Sequence, residues 1–105
     1  QGFGDTVQFI RYAPLVQAKG ADVALMVQPE LAPLIRRVMP EVVLVDEAPA
    51  DATLQCPLMS LPHAFGTTLE TIPAATPYLF ADPAKIARWQ DRLIGFIGRD
   101  PAWRP

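Results

Sequence analysis

The chain opens with an apolar stripe at helical spacing, which predicts an amphipathic helix. Its members recur every three or four residues: Val7, Ile10, Pro14, Leu15 and Ala18. A capping-box pattern over residues 5–8 predicts that Asp5 caps the helix start, and Gly20 is a suitable stop. Because Pro14 lacks an amide hydrogen and crowds the preceding turn, we expect a kink or break near Arg11.

Three short apolar runs without a helical stripe follow, at residues 22–27, 42–45 and 52–56. Each predicts a strand, and the first suits a strand that is buried on both faces. Between the first two, Pro29 opens a second helix that ends at Pro40. The alternation of helix and strand predicts an α/β fold, with flanking helices around a Rossmann-like parallel sheet.

The last third of the chain is predicted to hold two more helices around a loop. Residues 58–65 suit a helix of one or two turns, and residues 66–78, rich in Thr and Pro, suit an ordered loop. Asp82 and Pro83 form an N-cap and first-turn pair for a helix through about residue 96. We therefore divide the chain into a Rossmann-like domain (1–80), a peripheral helix (81–97) and an inter-domain linker (98–105).

Composition narrows the function without naming it. Half of the residues are hydrophobic and 19% are charged, as in one folded domain. A net charge of −2, with nine scattered Lys and Arg, disfavours nucleic acid as a partner. No apolar run approaches the roughly 18 residues needed for a membrane span. The single cysteine, Cys56, excludes an internal disulfide and favours a reducing, cytoplasmic location.

Gly2 and Gly4 precede the first helix, an arrangement that brings backbone amides close to a ligand. The dinucleotide fingerprint needs a third glycine at position 7 and an acid after the next strand. Val7 and Gln28 stand there, so NAD is disfavoured. Because Gln1 reads like the middle of a loop, we expect that the first strand of the fold is missing from this chain.

Five blocks carry a resemblance to a known family: QGFGDTVQFIRYAPL at residues 1–15, VQP at 27–29, CPLMSLP at 56–62, GTTLETIP at 66–73 and PYL at 77–79. In order and spacing they resemble bacterial proteins in which tetratricopeptide repeats precede a region similar to glycosyltransferase family 9, the lipopolysaccharide heptosyltransferases. The resemblance extends to about Leu93.

The resemblance implies a GT-B architecture, in which two Rossmann-like domains face a cleft. The N-terminal domain binds the acceptor and the C-terminal one the nucleotide-sugar, and this chain would be most of the former. It implies no metal and no cofactor, and both substrates would be partners only of the full-length protein. The isolated chain is expected to be inactive, and its missing strand would favour self-association. The alternative is a non-catalytic scaffold module with a degenerate GT-B fold.

The resemblance places Asp5 at the position of the proposed general base of heptosyltransferases. Inverting transfer needs such a base within hydrogen-bond reach of the acceptor hydroxyl. The alternative is that Asp5 only caps its helix, which stabilises a helix by about 1 kcal/mol. Helix N-terminal charge also lowers basicity, so the two roles compete.

The other candidates could contact the acceptor: Gly2, Gly4, Thr6, Arg11, His63, Thr67 and Thr68. Four of them have a simpler alternative. His63 suits a surface histidine, Thr67 and Thr68 suit turn chemistry, and Arg11 suits a solvated position on the helix. Cys56 is interpreted as a small buried apolar residue.

Overall fold

A computed structural model describes residues 2–97, and the predicted linker at residues 98–105 lies outside this range. The chain forms a mixed α/β structure around a small parallel sheet. Its regular elements are α1 (Phe3–Phe9), α2 (Ala13–Ala18), β1 (Ala24–Leu25), α3 (Ala32–Val38), β2 (Val43–Leu44), α4 (Leu61–Ala64) and α5 (Pro83–Ile97). Single 3-10 turns, at Ile10–Tyr12, Pro29–Leu31 and Leu58–Ser60, lead into α2, α3 and α4.

The first helix starts earlier than predicted, and its cap is a different residue. Gly2, not Asp5, is the N-cap of α1, and Asp5 lies at the third helical position. There its carboxylate reaches back and accepts the Gly2 amide hydrogen. This is the acidic half of a capping box. The predicted role of Asp5 as the cap residue itself is therefore wrong, although Asp5 does satisfy an amide at the helix start.

The predicted break near Arg11 is confirmed. The helix tightens into the Ile10–Tyr12 turn and resumes as α2, with Pro14 in the first turn of α2. Gly20 follows with φ +88°, a left-handed conformation that favours glycine and ends the helix.

The sheet consists of β1 and β2, which pair in parallel and are connected by the segment that contains α3. Ala24 lies beside Val43 and Leu25 beside Leu44. The amide of Val43 donates to the Val23 carbonyl at 3.1 Å, and the amide of Val45 donates to the Leu25 carbonyl at 3.0 Å. The parallel pairing confirms the mixed α/β class, whereas both strands are shorter than predicted.

The predicted third strand is absent among the described residues. Residues 52–57 have no regular structure, and Leu54 in their middle is 92% exposed. An extended segment becomes a strand only when a neighbour bonds to its backbone, and this segment has none. Cys56 is exposed in consequence, so its interpretation as a buried apolar residue is wrong.

The core lies on one face of the sheet. It consists of Ile10, Ala13, Leu25, Ile35, Met39 and Val42, which bury against one another. On the opposite face, Met26 is 52% and Val43 is 61% exposed. The prediction that the first strand is buried on both faces is therefore wrong, because the helices cover only the Leu25 side.

The C-terminal helix begins as predicted. The Asp82 carboxylate accepts the Ala84 amide hydrogen at 2.9 Å, which is the bond of an N-cap. Along α5, the apolar side chains of Ile86, Trp89 and Leu93 are exposed. Of the helices in residues 2–97, none has the length and apolar character to cross a bilayer.

We predict that Ile10→Val lowers the free energy of unfolding by about 0.5–1.5 kcal/mol, because Ile10 is completely buried and the lost methylene leaves a gap. Urea denaturation followed by circular dichroism measures the change. The matched control is Ile72→Val, which removes the same group from a side chain that is 47% exposed. Equal effects of the two substitutions would contradict the assigned core.

Candidate functional site

The start of α1 forms the centre of the candidate site. The Gly2 amide donates to Oδ2 of Asp5 at 3.0 Å, and the Thr6 amide donates to the Gly2 carbonyl at 3.4 Å. Within residues 2–97, no group donates to the second carboxylate oxygen, Oδ1. Asp5 is half-buried. Its carboxylate is therefore oriented by one oxygen and has the other available to accept a hydrogen bond.

A buried side chain sets the position of this turn. Thr6 is buried, and its hydroxyl donates to Oε1 of Gln28 at 2.8 Å. Gln28 follows β1, so the bond ties the start of α1 to the carboxyl end of the sheet. Ligands of parallel α/β folds bind at that end. The Thr6 hydroxyl is engaged within the protein, and its contribution to the site is to position Asp5.

Arg11 is neither solvated nor directed at open solvent. Its guanidinium donates to the carbonyls of Gln8 and Pro73 and to the hydroxyl of Tyr78, at 2.9–3.0 Å. The guanidinium carbon also lies 4.5 Å from the centre of the Tyr78 ring. The expectation of a solvated arginine is wrong, because Arg11 fixes the loop of residues 66–78 against the helical segment.

Tyr78 completes this connection. Its hydroxyl donates to the Val7 carbonyl at 2.7 Å while it accepts from Arg11. The sequence predicts no role for Tyr78, although the residue belongs to the block PYL at residues 77–79. Its partners lie 67 and 71 positions away, so no local pattern could indicate them.

Thr67 and Thr68 make different contacts. The Thr67 hydroxyl lies 2.8 Å from the hydroxyl of the buried Tyr12, whose ring also packs against Phe65. Thr68 bonds to Thr71, with its amide 2.8 Å from the Thr71 hydroxyl oxygen. The Thr68–Thr71 bond is local, as the turn-chemistry alternative predicts. The Thr67–Tyr12 contact is a tertiary one, between residues 55 positions apart.

His63 and the glycines remain open to solvent. His63 lies on α4 and is exposed, and α1 packs against the Leu58–Ser60 turn that leads into α4. A Cβ atom at Gly4 would meet nothing within 4 Å. In the described part of the chain, no three His, Cys, Asp or Glu side chains form a group that could hold a metal ion.

The residues around α1 form an open surface, not a pocket. The cleft between α1 and α3 is lined by apolar side chains and by Thr6, and it leaves no volume for a water molecule. The half-buried Asp5 and the exposed Gly2 and Gly4 do not line this cleft.

Comparison with protein-family models, with curated proteins and with solved structures gave no match for this chain.

We predict that Arg11 and Tyr78 are coupled by about 0.5–3 kcal/mol in a double-mutant cycle of Arg11→Gln and Tyr78→Phe, because they share a hydrogen bond. Urea denaturation of both single variants and the double variant measures the coupling energy. A matched cycle with Arg36→Gln and Tyr78→Phe should give additive changes, since Arg36 is exposed on α3. Additivity in the Arg11 cycle would contradict the contact.

Proposed function

We propose that this chain is the acceptor-side part of a GT-B glycosyltransferase similar to family 9, with Asp5 as the general base. One observation carries the proposal. Five hydrogen bonds each join two of the segments on which the resemblance rests. They are Thr6–Gln28, Arg11–Pro73, Arg11–Tyr78, Tyr78–Val7 and Tyr12–Thr67. Four of the five segments are thus bonded into one structural unit, and Asp5 belongs to the first of them.

The available oxygen of Asp5 suits the chemistry of inverting transfer. The acceptor hydroxyl gives its proton to the carboxylate while its oxygen forms a bond to the anomeric carbon of the sugar. The bond from that carbon to the nucleotide diphosphate breaks, and the diphosphate leaves from the opposite face. Oδ2 stays bonded to the Gly2 amide, so the carboxylate is held in orientation and Oδ1 takes the proton.

The glycines beside Asp5 support a ligand at this surface. Neither Gly2 nor Gly4 has a positive φ, and the nearest atom to a Cβ at Gly2 would be Oδ2 of Asp5, at an ordinary contact distance of 3.8 Å. Nothing in the described residues therefore requires glycine at either position. Since glycine inside a helix costs about 1 kcal/mol relative to alanine, close approach of a ligand is a sufficient reason for Gly4.

The openness of the surface supports an incomplete site. A site for a sugar and its acceptor encloses most of the ligand surface, whereas Gly2 and Gly4 beside Asp5 are exposed. In the proposed architecture the donor domain supplies the opposite wall.

A scaffold role is the second candidate, and a specific observation favours it. Four of the predicted acceptor contacts, Thr6, Arg11, Thr67 and Thr68, bond within the protein. Their presence in the blocks is therefore explained by folding, without any acceptor. The enzyme hypothesis depends on Asp5, Gly2, Gly4 and His63.

We predict that the chain of residues 1–105 binds no common nucleotide-sugar with micromolar affinity, because the proposed donor domain is not part of it. Isothermal titration calorimetry with uridine, guanosine and adenosine diphosphate sugars measures this. Micromolar binding of any of them would mean that the chain is the donor half.

We predict that Asp5→Asn in the full-length protein lowers the transfer rate at least about 100-fold, the range that general-base catalysis contributes. The asparagine oxygen can still accept the Gly2 amide hydrogen, so the start of α1 should be unchanged. Release of nucleotide diphosphate measures transfer, and circular dichroism checks the fold.

The matched control for this variant is Asp22→Asn, which makes the same change at an exposed position before β1. It should leave the transfer rate unchanged. An Asp5→Asn protein that retains the wild-type rate would reduce Asp5 to its hydrogen bond with Gly2, and the scaffold hypothesis would then be the better one.

A further inference from the structure

Two side chains bind the C-terminal end of α1. The last four carbonyls of a helix lie beyond the reach of amides within the helix itself, and side chains often satisfy them. Two of these carbonyls in α1 receive a side-chain donor. The Tyr78 hydroxyl donates to the Val7 carbonyl at 2.7 Å, and Nε of Arg11 donates to the Gln8 carbonyl at 2.9 Å. The end of α1 is therefore bonded to the loop of residues 66–78 through Tyr78.

Tyr78 is itself held in place. Its ring packs against the hydrophobic core and lies 4.5 Å from the guanidinium carbon of Arg11. The same guanidinium donates to the Tyr78 hydroxyl and to the Pro73 carbonyl, each at 3.0 Å. A hydroxyl that accepts a hydrogen bond from a cation donates its own more strongly, because bonds in a chain polarise one another. The Tyr78 hydroxyl therefore offers α1 a fixed and strong donor.

Packing on the core does not by itself fix the rotation of α1. Thr6 and Ile10 are four positions apart, and both are buried, so they mark the side of the helical segment that faces the core. Apolar contacts are non-directional, which leaves a helix able to roll or slide on the surface that it covers. Hydrogen bonds are directional and prevent such movement. The Thr6–Gln28 bond is one such restraint on α1, and the Tyr78–Val7 bond is a second.

The short length of α1 makes these restraints necessary. The helix has seven residues, and helices shorter than about 12–15 residues are only marginally stable in water on their own. Its N-cap is Gly2, which has no side-chain oxygen to give to the first turn. Tertiary contacts therefore order the helix that carries Asp5.

We propose that Tyr78 is a positioning residue for Asp5 and acts through the Val7 carbonyl, an inference that rests on the proposed role of Asp5 as the general base. Asp5 and Val7 lie on the same turn of α1, on either side of the buried Thr6. A roll of the helix about its Thr6 side therefore moves the Asp5 carboxylate together with the Val7 carbonyl. Because a catalytic group must stay within about 0.5 Å of its productive position, the bond from Tyr78 keeps Asp5 effective. Tyr78 acts through the helix and not on the reacting atoms.

Hydrogen exchange in the full-length protein tests the restraint on α1 without any substrate. Tyr78→Phe removes the hydroxyl and keeps the ring. The Thr6 amide bonds to the Gly2 carbonyl at the start of α1. We expect this amide to exchange about fivefold faster in the variant, since α1 loses one hydrogen bond that holds it. The matched control is Tyr12→Phe, which removes the same group from the bond to Thr67 and should leave the exchange of the Thr6 amide unchanged.

Kinetics of the full-length protein test the consequence for Asp5. Release of nucleoside diphosphate from uridine, guanosine and adenosine diphosphate sugars, with water as the acceptor, measures the rate. We expect Tyr78→Phe to lower kcat by about tenfold and to leave KM for the nucleotide-sugar unchanged, since a displacement of 1 Å can cost about 100-fold in rate. A merely structural role would reduce the amount of folded protein but not kcat per folded molecule. Tyr12→Phe should leave both kinetic constants unchanged.

A double variant separates this proposal from the proposed function. In the Asp5→Asn background, Tyr78→Phe should cause no further loss of rate, because both changes act through the same carboxylate. An equal loss in the two backgrounds would overturn the positioning role, and so would a Tyr78→Phe protein with wild-type kcat. A wild-type rate in Asp5→Asn would instead remove the proposed function, and the role of Tyr78 with it. If Tyr78→Phe does not fold, Arg11→Gln withdraws the guanidinium from the Tyr78 hydroxyl and the Gln8 carbonyl and should have the same two effects.

Discussion

The 3-10 turn at Ile10–Tyr12 is the constraint on which the arrangement of the other segments depends. Pro14 has no amide hydrogen to give the Ile10 carbonyl, and the Ala13 amide bonds to that carbonyl instead. The tighter turn directs three consecutive side chains to three different neighbours. Ile10 enters the core, Arg11 reaches the loop at Pro73 and Tyr78, and Tyr12 reaches Thr67. Pro14 thus interrupts the helix at the three residues that contact the core and the loop of residues 66–78.

The position of Asp5 in the candidate site depends on this 3-10 turn and on the bonds that hold α1. Asp5 lies one turn before Ile10 on the same helical segment, and the Thr6–Gln28 bond fixes the direction of α1 relative to β1. The bond from Tyr78 to the Val7 carbonyl adds a second fixed point on α1. A catalytic carboxylate needs support of this kind, since small displacements reduce its efficiency. Tyr78 therefore supports the position of Asp5 indirectly, through its bond to the Val7 carbonyl on the same helix.

Local sequence patterns, which span about one helical turn, were sufficient to predict much of the fold. The break at Pro14, the stop at Gly20 and the cap at Asp82 all depend on neighbours within four residues, and the structure contains each of them. Apart from the exact N-cap of α1, the predictions that failed depend on distant partners. Residues 52–56 have the composition of a strand but lack a strand to pair with, and Cys56 is exposed for the same reason.

Within the site the same division holds. The approximate position of Asp5 at a helix start follows from the local pattern, while its exact place at the third helical position does not. The partners of Arg11 could not be predicted, because the chain returns to it only after the loop of residues 66–78. A charged residue on a predicted helix gives the same local pattern whether it is solvated or bonded to a distant loop. Only the tertiary structure separates the two.

A parallel sheet is stable when helices cover both of its faces, because its strands carry apolar side chains on both sides. In this chain the side chains of Ile10, Ala13 and Ile35 cover the Leu25 side, and Met26 and Val43 on the opposite side stay exposed. The open face thus has a physical origin: in the described part of the chain, helices cover only one side of the sheet. Burial of apolar surface contributes about 25 cal/mol for each Å² removed from water. A domain of this size buries a small core of its own, so contact with another polypeptide offers it a large relative gain in stability.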